Sequence, residues 1–156
     1  MNFPRLRRLL AALLAPLLAP FIAPLLLALP MPGAGAAELV VIVSAKNPLA
    51  VLRADQVADI FLGQVGRFPD GADAVALDQA IGSPQRDEFY AKVTARTPAQ
   101  VKAYWSKMVF TGRGQPPREA PSSAAIRKLV ADNPALIGYI DRSALDASVK
   151  PVLMLH

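Results

Sequence analysis

Gly82-Ser83-Pro84 and Arg86 are the residues of this chain whose types and spacing point to chemistry. They follow an apolar run, Ala74–Leu77, that ends in Asp78 and Gln79, and they open a polar-apolar pattern of helical period. The order reads strand, tight loop, helix. Ser83 stands where an N-cap belongs and Pro84 where a first helical residue belongs. A helix start carries unpaired N–H groups and a partial positive charge, so it favours anions. Ser83 adds a hydroxyl, and Arg86 adds a planar cation suited to phosphate-like oxyanions. The same residues fit a plainer reading, in which Ser83 only caps the helix and Arg86 is solvated.

Other chemistries find little support. The one histidine is His156, the last residue, and there is no cysteine. A thiolate metal site, a disulfide frame and an internal acid–base histidine are therefore excluded. No nucleophile elbow, P-loop or dinucleotide fingerprint occurs. Asp70, Asp73 and Asp78 lack the alternating spacing of a calcium loop. Neither an enzyme nor a metal or cofactor protein is expected. Tyr104 and Trp105 share helical spacing with Val101 and Met108, which points to core packing. Lys102 and Lys107 read as a solvated face, and Arg113, between Gly112 and Gly114, as either a mobile surface arginine or a ligand-loop residue.

The elements that must position these residues begin after Ala37. Residues 1–37 run basic (Arg5, Arg7, Arg8), then apolar (Leu9–Leu29), then small (Ala34–Ala37). This is the order of a secretory signal peptide cleaved after Ala37. A membrane anchor is the competing reading, but Pro16, Pro20, Pro24 and Pro30 would disrupt successive turns of a spanning helix. The leader holds three of the 17 Lys and Arg and none of the 12 acids, so residues 38–156 carry +2 rather than the +5 of the whole chain. Their charges alternate in sign, which argues against a nucleic-acid surface. Export without disulfides points to a bacterial periplasm.

Within residues 38–156 the spacing predicts one domain. Glu38–Ser44 reads as a buried strand, Ala54–Leu62 as a helix stopped by Gly63, and Phe68–Gly71 as a turn. The strand, loop and helix around Ser83 come next. Thr97-Pro98 starts a further helix, Thr111–Ala120 is a loop, and Ser122 or Ser123 caps a helix through Val130. Leu136–Ile140 is a short strand. Val149–Leu155 is a last one that Pro151 demotes to an edge. Strands alternating with helices give an α/β or mixed layer domain, with ligands expected at Ser44–Pro48, Asp78–Ser83 or Thr111–Arg118.

Three segments together resemble a known family. Ala54–Gly63, ADQVADIFLG, resembles the x-E-Q-L-A-D-I-F-x-G helix of phosphate ABC transporter substrate-binding proteins. Asn133–Ile140, NPALIGYI, resembles their x-P-G-A-I-G-Y-V strand entry. Phe110–Pro117, FTGRGQPP, is similar to a loop in a short, half-length branch of that family. The resemblance spans about Val40 to Leu155. It implies a single lobe of a type 2 periplasmic-binding-protein-like fold, a mixed sheet covered by helices, and binding of phosphate or a similar oxyanion. By position, Gly82 and Ser83 match the ligand loop, Asp78 and Gln79 the strand end before it, and Ser44 a place where a hydroxyl is offered. Arg86 and Arg113 complete the expected set. An ABC permease or membrane sensor is the implied partner, and a homodimer could complete the cleft. The alternative is an interaction module of the same fold that takes no small ligand. Three departures stand out. Pro84 interrupts the Ser-Gly-Thr run of full-length members, the length is that of one lobe, and Arg53 replaces the usual Ser or Thr cap.

Overall fold

In the computed structural model residues 38–156 are described; the leader and its cleavage site lie outside them. Five strands form one mixed sheet in the order β3-β2-β4-β1-β5. They are β1 Leu39–Ser44, β2 Val75–Gln79, β3 Arg118–Ala120, β4 Leu136–Asp141 and β5 Val149–Leu155. The helices are α1 Ala54–Phe61, α2 Pro84–Thr94, α3 Pro98–Phe110 and α4 Ser123–Asp132.

β1 is buried along its whole length, as its β-branched run requires, and pairs antiparallel with both β4 and β5. β2 pairs parallel with β4 and β3. β5 lies at the sheet edge with a register shift opposite Pro151, which has no N–H to give the ladder. Residues of β1 alternate between two cores. Leu39, Val41 and Val43 pack with Val57, Phe61, Phe89 and Trp105, from α1, α2 and α3. Val40 and Ile42 pack with Leu77, Ile126 and Val130 under α4. α4 sits close enough that Gly138 of β4 faces it: a Cβ there would fall 2.4 Å from Ile126 Cγ2.

The caps follow the residue types. Thr97 accepts from Gln100 N, Ser122 from Ala125 N, and Gly63 ends α1 at φ +66°. At Arg53, Gln56 Oε1 accepts from the Arg53 backbone N–H (3.0 Å), so half of a capping box survives without a hydroxyl. Two expectations need correction. Arg118–Ala120 is not loop but a three-residue strand, held as an edge by its parallel pairing to Leu77–Gln79. And because β1 runs against β2 and β4, Ser44 and the Ser44–Pro48 loop lie at the opposite end of the sheet from Asp78 and Gln79.

Candidate functional site

The carboxyl end of β2 delivers Asp78 into the interior. Its side chain is 1% exposed. Oδ2 accepts from Arg86 Nε (2.9 Å) and from the Tyr90 hydroxyl (2.9 Å), and Oδ1 accepts from the Tyr139 hydroxyl. Helical geometry places Arg86 and Tyr90, four apart on α2, on the face that meets β2. Phe89 stacks flat on Tyr139 at 3.9 Å and fixes that ring from the side. Burial, reinforced by the Asp78 carboxylate, pushes both tyrosine hydroxyls well above their usual range. Burial opposes the Arg86 charge, but the Asp78 carboxylate outweighs it and holds the guanidinium above its ordinary value.

The link from β2 to α2 turns at Gly82, whose φ of +83° favours a residue without a Cβ. Ser83 caps α2 by accepting from Arg86 N (3.3 Å). The helix start offers fewer free donors than its type suggests. Pro84 has no N–H, Arg86 N and Asp87 N both return to the Ser83 carbonyl, and Ser83 N is taken by Ala80 O. Ile81 N already holds a carboxylate, Glu119 Oε2, at 3.0 Å. The remaining donors are the Gly82 and Gln85 N–H groups, the Ser83 hydroxyl proton and the two terminal nitrogens of Arg86. None of these donates a hydrogen bond among the described residues.

Arg86 also lines an open cavity of about 790 Å³ between α2, α3 and this loop. Ile81 and Gly82 border it on one side, with Lys102, Trp105 and Phe110 of α3 on the other. Trp105 is core, as its spacing requires, but its indole N–H is buried without a hydrogen-bond acceptor among the described residues. That N–H lies close enough to the Tyr90 hydroxyl to oppose the rise in its pKa, yet forms no bond of acceptable geometry.

Of the expected site residues, the structure brings Asp78, Gln79, Gly82, Ser83 and Arg86 together. Asp78 and Gln79 spend their groups internally: Gln79 Nε2 donates to Ser123 Oγ (3.2 Å) and Tyr139 O (3.3 Å). Ser44 stands apart, with its hydroxyl donating to Ala131 O (3.1 Å). Arg113 sits in the exposed turn after α3 and is not among the residues lining the cavity. Tyr90, Tyr139 and Glu119 were not legible as site residues, and Lys102, expected on a solvated face, is exposed where it lines the cavity. Only the four-residue spacing of Arg86 and Tyr90 carried a signal. Among the described residues no cluster of His, Asp or Glu could hold a metal ion.

The mixed sheet, with three helices on one face and one on the other, matches the fold of one lobe of solved phosphate-transport substrate-binding proteins. A protein from Clostridium perfringens, described as a phosphate ABC transporter substrate-binding protein with bound phosphate, matches over 74% of this chain and 44% of its own. The TM-score is 0.58 at 27% identity. An ABC-type phosphate transport receptor from Vibrio cholerae matches at TM-score 0.59 and 18% identity, over 74% and 45% of the two chains. PstS from Borrelia burgdorferi does so at 0.56 and 12%, over 74% and 46%. The chain thus spans about half the length of the solved structures it matches. No family model and no curated protein matches it.

Proposed function

We propose that the protein is an exported, single-lobe solute-binding module for phosphate or a similar oxyanion, freed from its leader after Ala37 and serving ABC-type uptake or sensing in the periplasm. One observation carries this reading. Arg86 is locked through Nε to buried Asp78, while its two terminal nitrogens make no hydrogen bond among the described residues and its side chain borders a cavity. A guanidinium held in this way loses little freedom on meeting an anion, and its fork suits paired oxygens. Gly82, Gln85 and Ser83 supply neutral donors beside it. Because Asp78 already neutralises Arg86 and one lobe leaves the ligand open to water, affinity should be modest. Calorimetry of residues 38–156 against phosphate, sulfate and molybdate tests the reading: saturable binding of at least one supports it, and none at millimolar ligand refutes it.

A second reading rests on a different observation. Phe110 is 93% exposed and Ile81 72%, both lining the cavity, an unusual apolar display for a free surface. In this reading the lobe docks on a membrane sensor or transporter and takes no small ligand. It predicts no heat with any oxyanion and loss of docking in Phe110→Ser.

A further inference from the structure

The cavity beside Arg86 is far larger than an inorganic oxyanion needs. At about 790 Å³ it falls within the range of pockets that enclose organic ligands. Its apolar lining is Ile81 from the loop and Trp105, Val109 and Phe110 from α3. Its charged lining is Arg86 and Lys102, with Asp87 as the one acid. Arg86 is 8% exposed and has two nitrogens without a hydrogen-bond partner among the described residues, so the cation is part of the built interior. A bare phosphate on Arg86 would leave Val109 and Phe110 in water.

We infer that this cavity takes a small organic anion, one oxyanion head on a flat or aliphatic apolar body. The head lies on Arg86 with Lys102 near, and the body lies against Trp105, Val109 and Phe110. This rests on the oxyanion reading and names the ligand class of the same site. The charge balance suits a single head: the lining holds two cations, Arg86 and Lys102, and Arg86 is already paired with Asp78.

Phenyl phosphate, inorganic phosphate, glycerol phosphate and phenol, titrated separately into residues 38–156, test the inference. Phenyl phosphate should bind about ten- to a hundredfold more tightly than phosphate, the gain expected from burying one ring. Glycerol phosphate should bind no better than phosphate, and phenol only weakly. In Val109→Ser/Phe110→Ser, where both side chains are exposed and the fold does not depend on them, the phenyl gain should vanish while phosphate affinity stays. If phosphate binds and phenyl phosphate binds no more tightly, the inference fails and the oxyanion reading stands. If phenol binds as well as phenyl phosphate, or the gain survives in the double variant, the inference fails too. If no anion binds at all, both fail.

Discussion

Replacing Arg86 by alanine acts first on stability, and the size of that effect follows from its partner. The Asp78 side chain is 1% exposed and that of Arg86 10%, so water does not screen the pair. Removing one member of a buried pair leaves an uncompensated charge and costs about 3–5 kcal/mol. The Tyr90 and Tyr139 hydroxyls still donate to the carboxylate, which favours the lower end of that range. For a domain of this length roughly 4 °C of melting temperature goes with each kcal/mol, so the loss is about 12–20 °C. Circular dichroism melts of residues 38–156 measure it. Asp78→Asn/Arg86→Gln, which removes both charges, should recover most of the loss and fold without the terminal guanidinium donors. That double variant is the sound probe of anion binding. An Arg86→Ala melt within about 3 °C of the parent would refute the claim that the pair is buried and structural.

Alkali should destabilise the fold. Tyr90 and Tyr139 have raised pKa values when folded, so their contribution is intact below the unfolded value near 10 and is lost as pH rises above it. The slope should be about 1.4 kcal/mol per pH unit for each tyrosine, halved in Tyr139→Phe, as read from urea midpoints between pH 9.5 and 11. Glu119→Gln removes a carboxylate from the Ile81 N–H and should tighten oxyanion binding roughly two- to fivefold by calorimetry; weaker binding would contradict the placement of the anion at this loop. Gly138→Ala forces a Cβ against Ile126 and should cost about 1–3 kcal/mol in urea unfolding, with no effect if α4 were loosely packed.

Much of the fold was legible because local rules carried it. The β-branched run of β1, the caps at Ser83, Thr97 and Ser122, the stop at Gly63 and the edge position forced by Pro151 each have a short-range cause. Strand direction has none. The Ser44 hydroxyl looked like a neighbour of Ser83 until the antiparallel pairing of β1 with β4 carried it to the far end of the sheet. Arg118–Ala120 escaped notice because three residues after a Gly- and Pro-rich loop show no period. Arg86 was singled out for the right chemical type, but its pairing with Asp78 depends on β2 and α2 meeting, and Tyr139 joins from 61 residues away. The expected donor-rich helix start was the weakest expectation, since Pro84 and the returns to Ser83 leave few free N–H groups.

The most direct test of the account is a heteronuclear NMR titration of residues 38–156 with inorganic phosphate at constant pH and ionic strength. Binding at the Arg86 site predicts saturable shifts of the Gly82 and Gln85 amides and of the Arg86 Nε–H, with Ser44 and Arg113 unmoved. An unchanged spectrum at tens of millimolar phosphate, or shifts centred on Ser44 or Arg113, would contradict it.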